Sequence, residues 1–80
     1  MQRLSPVKWK VLECIFLELG FKLHRQEGSH RAYFKPGVIR PVIIPTYKQI
    51  DVDIIKSNMR TACLDRETYF ILLEKCKTRG

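Results

Sequence analysis

Eighty residues leave room for one hydrophobic core, so the expectation is a single domain over 1–80. With 45% apolar residues the chain is too hydrophobic for intrinsic disorder, yet no apolar run approaches the roughly 20 residues of a membrane span. The opening MQRLSPVKWK lacks the apolar stretch of a secretion signal, which points to a soluble cytoplasmic protein. Fifteen Lys and Arg against eight Asp and Glu give a net charge of +7. Six of those bases, Lys22, Arg25, Arg31, Lys35, Arg40 and Lys48, lie between Gly20 and Lys48, where Glu27 is the sole acid. A concentrated basic stretch that also holds both histidines attracts polyanions, with nucleic acid the first candidate and a plain solvated surface the bland one.

Ser5-Pro6 has the form of a helix start, Ser as N-cap and Pro at the first helical position. Val11, Leu12, Ile15, Phe16 and Leu19 repeat at helical spacing, and Gly20 stands where a C-cap is wanted. This predicts a first helix of about 14 residues, with Trp9 packing at the edge of its apolar stripe. From Phe21 to Gln26 the period becomes two, which predicts a strand with Lys22, His24 and Gln26 opposite Phe21 and Leu23. Glu27-Gly28 supplies a turn, His30 to Lys35 a second strand, and Pro36-Gly37 another turn. In Arg40 to Pro45, Val42 and Ile44 point one way, and Pro41 assigns the strand to a sheet edge. Of Tyr33 and Phe34, one at least belongs to the core. Thr46 to Asp51 reads as a loop.

Asp53 to about Cys63 follows as a helix, with Ile55, Met59 and Ala62 on one stripe. Asp65 precedes a last helix as its cap, with Tyr69, Leu72, Leu73 and Cys76 inward, Glu67 in the first turn, and Lys75 and Lys77 near the end. The order α-β-β-β-α-α predicts an α+β fold, a three-stranded antiparallel meander with helices on one face, which is also the plan of double-stranded-RNA-binding domains. Cys14, Cys63 and Cys76 are odd in number, widely spaced and free of CxxC or metal-ligand spacing. They read as buried free thiols, with no metal site and no cofactor.

Leu19-Gly20-Phe21, Arg25-Gln26, Gly28-Ser29-His30, the strand ending Ile44-Pro45, and Ala62-Cys63-Leu64-Asp65 together carry a resemblance. The chain resembles the HicA-type toxins, small mRNA interferases of toxin–antitoxin pairs, from about Leu4 to Leu73. The Arg-Gln-x-Gly-Ser-His segment is the most specific part of that likeness. The resemblance implies a double-stranded-RNA-binding-like fold, RNA cleavage without a metal, and a HicB-type antitoxin that covers the active surface. It places the family's catalytic histidine on His30, with Gly28 as the turn residue before it. The chain departs from the family's pattern at Arg31, where a second histidine is frequent, at Tyr47, Cys63 and Asn58.

Metal-free scission of RNA needs removal of the 2′-OH proton, charge stabilisation on the phosphorane, and protonation of the leaving oxygen. An imidazole titrates near pH 6.5 and serves either proton transfer. His30 is therefore the candidate acid–base group, and Arg25 and Arg31 are candidates to hold the phosphate. Lys22, Lys35 and Lys48 are candidate phosphate contacts, and His24 a candidate RNA contact that is otherwise a plain surface histidine. Ser29 has no visible Asp–His pairing and reads as a hydrogen-bonding turn residue. Tyr33 or Phe34 is a candidate for stacking on bases. Two alternatives stand beside a ribonuclease: a non-catalytic RNA-binding module on the same fold, and an interaction domain whose basic face docks an acidic protein.

Overall fold

Val7 and Ile50 exchange backbone hydrogen bonds (Val7 N–H to Ile50 O 3.4 Å, Ile50 N–H to Val7 O 2.7 Å) in the computed structural model, which describes residues 3–79. This bridge corrects the expected helix start. Helix α1 runs Trp9–Glu18 behind Lys8, so Ser5 caps nothing. A Ser cap is worth about 1 kcal/mol. The bridge instead buries Val7 and Ile50, at about 1.5–3 kcal/mol each, and so holds residue 7 extended. The other end of α1 follows the sequence: Gly20 has φ +98°, its N–H bonds the Leu17 carbonyl, and Phe21 N–H bonds the Phe16 carbonyl, both at 3.0 Å. That is the Schellman closure, and its apolar contact is the edge-on pair Phe16–Phe21 at 5.5 Å.

Strands β1 (Lys22–Glu27), β2 (His30–Phe34) and β3 (Val42–Pro45) form one antiparallel sheet in that order. Pro41 accordingly leads into an edge strand. Helices α2 (Val52–Ala62) and α3 (Arg66–Arg79) follow, completing α-β-β-β-α-α. This is the α+β, double-stranded-RNA-binding-like arrangement. Tyr33, Val42 and Ile44 of the sheet are fully buried, as are Leu12, Ile15 and Phe16 of α1, Ile55 of α2 and Tyr69 of α3, so the helices cover one sheet face. Tyr33 is thus the core member of its pair and Phe34 the exposed one. Among the described residues no helix is long and apolar enough to cross a membrane.

Two further expectations are corrected. A bulge lies between Leu23 and Arg25, because Leu23 pairs with Tyr33 but Arg25 with Ala32. The extra residue, His24, inverts the alternation beyond it. Arg25 and Glu27 therefore share a face with Ala32 and His30, whereas Gln26 shares one with Arg31, away from Lys22. Leu23 is 44% exposed rather than core. The cysteines are not all buried thiols: Cys14 and Cys76 form a disulfide between α1 and α3, and Cys63 is free and exposed. Spacing along the chain hid this pairing, since the two residues are 62 apart and meet only because the terminal helices pack together. The ion pair Lys75–Glu18 (2.5 Å) joins the same two helices.

Candidate functional site

The turn before His30 consists of Gly28 and Ser29, one residue later than expected, with Glu27 and His30 as the closing pair. Positive φ (+58°) falls on Gly28 alone, as in II′ hairpin loops, and nothing lies within 4 Å of where its Cβ would stand. Glycine is thus required there by backbone conformation, not by space. Both turn carbonyls are held. Gln26 Nε2 donates to Gly28 O at 3.0 Å, and Thr46 donates to Ser29 O twice, from its backbone N–H at 2.6 Å and its hydroxyl at 3.2 Å. The Thr46 clamp ties the loop after β3 to the hairpin. It brings Tyr47 edge-on to the His30 ring, centroids 6.3 Å apart.

His30 itself is exposed, the first residue of β2. It shares a shallow pocket of about 110 Å³ with Arg25, Glu27, Ala32 and Ile43 on the sheet face away from the helices. Its ring is therefore open to a polymer passing over that face, while its backbone is fixed by the hydrogen bonds on the two preceding residues. A general acid or base needs both properties.

The other residues named from the sequence separate into groups. Lys22 is exposed opposite Phe34, and the His24 ring stands edge-on to Phe34 at 6.2 Å. Arg25 pairs with Glu27 at 3.3 Å, both about 70% exposed, an arrangement worth little in solution. Lys35 lies over the Phe21 ring at 5.8 Å, and Lys48 is exposed beside Tyr47. Ser29 is half-buried, and its carbonyl is the group that Thr46 clamps.

Arg31 is turned toward α1. Its guanidinium donates to Glu13 Oε2 at 2.6 Å and to Gln26 Oε1 at 3.1 Å, and it lies over the Trp9 ring at 5.1 Å. Tyr33 donates to the same Glu13 oxygen. Burial first, then the hydrogen bond and charge of Glu13, drive the Tyr33 phenol well above its ordinary range, with Arg31 opposing. Glu13, Arg31 and Gln26 thus form a chain of hydrogen bonds from α1 to the Gly28 carbonyl. In this arrangement Arg31 braces the turn that carries His30. Sequence reading missed Glu13, Gln26 and Thr46 as members of the site, because each acts through a contact between residues far apart or through a backbone atom. Tyr47 stood out from the sequence as a departure from the family's pattern, not as a neighbour of His30. Among the described residues no three His, Cys, Asp or Glu side chains gather as metal ligands would.

Taken together, fold and site define a small double-stranded-RNA-binding-like domain that presents the His30 imidazole directly behind a braced hairpin turn. The family profile described as the HicA toxin of bacterial toxin–antitoxin systems matches residues 9–64, from the start of α1 to just past the end of α2. The chain belongs to this family, and it is the toxin of a toxin–antitoxin pair. No curated protein matches the chain, and no solved structure matches it.

Proposed function

We propose that the protein is an mRNA interferase, an endoribonuclease that cuts single-stranded messenger RNA without a metal, with His30 as general acid–base group. The observation that carries this reading is an exposed imidazole directly behind a turn whose two carbonyls are both hydrogen-bonded. His30 takes the proton of a ribose 2′-OH as the O2′–P bond forms. The P–O5′ bond then breaks, and the departing oxygen receives a proton from the imidazolium or from water. The products are a 2′,3′-cyclic phosphate and a 5′-hydroxyl. Lys22, Arg25, Lys35 and Lys48 supply positive potential around the path of the backbone, and His24 is a further RNA contact. Arg31 acts mainly by holding the turn through Gln26. A HicB-type antitoxin covers the same face.

Positioned acid–base catalysis contributes roughly 10²–10⁴-fold. Purified protein is expected to cut RNA in EDTA, and His30→Ala to lose activity by about that factor while unfolding at the same denaturant midpoint. The measurement is release of 5′-hydroxyl ends from a labelled RNA. Equal cutting by His30→Ala and wild type removes His30 from the chemistry. RNA bound but recovered whole identifies a binding module instead.

A further inference from the structure

The outer face of the sheet carries two imidazole–aromatic pairs, and the site above uses only one. His24 and Phe34 stand with ring centroids 6.2 Å apart at 88°, much as His30 and Tyr47 do at 6.3 Å and 73°. The bulge at His24 brings its ring to Phe34, which is 44% exposed on the face opposite its buried neighbour Tyr33. Beside the second pair lies a groove of about 450 Å³ lined by Lys22, Leu23, His24, Phe34 and Pro36. Its lining combines aromatic rings, aliphatic side chains and one ammonium.

We propose that this groove is a nucleobase subsite for single-stranded RNA, separate from the cleavage site and in line with it. The inference rests on the ribonuclease reading for its substrate. His30 and Phe34 lie four residues apart on β2 and face the same side, a separation of about 13 Å at 3.3 Å per residue. A strand that stays stacked at 3.4 Å per base covers that distance in about four nucleotides, and one pulled out straight in about two. The base seated against Phe34 therefore belongs to a nucleotide two to four positions from the cut. Only an unpaired strand fits, since a duplex keeps its bases turned inward and shows a protein its backbone and grooves. Charge favours RNA over a protein occupant. Lys22 and Arg25 border this face against the carboxylate of Glu27.

The test uses oligodeoxynucleotides with a single ribose at a fixed position, so that only one bond is cleavable, lengthened one nucleotide at a time on either side. Stacking on an exposed aromatic is worth about 5- to 150-fold per base. In wild type, kcat/KM is expected to rise by such a factor when the chain reaches the second to fourth nucleotide on one side, and to stay flat on the other. Phe34→Ala should collapse that rise toward onefold, Phe34→Leu should retain part of it, and the control Ile71→Ala on α3 should keep it whole. A length profile without the step overturns the proposal, as does a step that survives Phe34→Ala. So does a Phe34→Ala variant that keeps the step and loses only antitoxin binding, which assigns the face to the antitoxin. If no RNA is cut at all, the ribonuclease reading fails on its own. The subsite is then judged by fluorescence anisotropy of the all-deoxy series, where a step in affinity with length that Phe34→Ala abolishes supports it and a smooth increase overturns it.

Discussion

Tyr69 is fully buried, and among the described residues its hydroxyl meets no hydrogen-bond partner. A buried polar group left unpaired costs about 1–3 kcal/mol, so Tyr69→Phe is expected to stabilise the fold by about 1 kcal/mol. The same burial pushes the Tyr69 pKa up to about 12, against an ordinary 10. A phenol whose folded pKa is raised holds its proton more tightly when folded. Its stability contribution is complete below pH 10 and is lost as pH rises from 10 to 12. Tyr33, driven up by burial and Glu13, adds a loss of the same sign that begins in the same range. Urea midpoints taken at pH 8 and pH 11 should therefore fall for wild type and fall less for Tyr69→Phe. An equal fall in both would show that Tyr69 ionises as freely in the fold as outside it. From the sequence, Tyr69 was legible as a core residue because its position in the helical stripe marks it as inward. The missing partner was not, since hydrogen bonding depends on which side chains meet across the core.

Elements formed where local pattern and tertiary contact agreed. The period change at Gly20, the two glycine turns and the alternating Val42 and Ile44 are local signals, and β1, β2 and β3 followed them within a residue or two. The start of α1 and the face assignments along β1 did not follow, because a bridge to Ile50 and a bulge at His24 are properties of pairing, not of the segment alone. Cys63 shows the reverse case. It ends α2 in the left-handed conformation (φ 54°, ψ 40°), where a glycine would suit the backbone and a side chain costs about 1 kcal/mol. The disulfide between α1 and α3 is the element-scale feature with the largest consequence. Its cysteines are 62 residues apart, and closing a loop of that length restricts the unfolded chain by about 4 kcal/mol on the loop-entropy account. That is a large share of the 5–15 kcal/mol typical of a domain. Reduction, or Cys14→Ser with Cys76→Ser, is expected to lower the unfolding free energy by about 2–4 kcal/mol. A reductant titration followed by urea melts measures it, and coincident melts would show that the crosslink adds nothing beyond the packing of the two helices.

For the whole molecule the distribution of charge matters more than its sum. Six bases against one acid occupy residues 20–48, whereas the rest of the chain holds nine bases and seven acids. Folding then divides even that central group. Arg31 is neutralised against Glu13 on the helix side, and Arg25 is partly offset by Glu27, so the open potential comes chiefly from Lys22, Lys35, Arg40 and Lys48. Such a field is short-ranged in salt, with a Debye length of about 10 Å at 0.1 M and about 3 Å at 1 M. It speeds encounter more than it tightens a finished complex. On the ribonuclease reading the antitoxin of this pair neutralises the field to keep RNA away, so it is expected to bring acidic groups to the face around His30. Its association rate constant is then expected to fall by tenfold or more between about 0.05 and 0.5 M salt, while the dissociation rate changes much less. Stopped-flow mixing of the separated proteins reads both. A rate constant flat across that range would mean that the antitoxin recognises the toxin through apolar contact and not through the basic face.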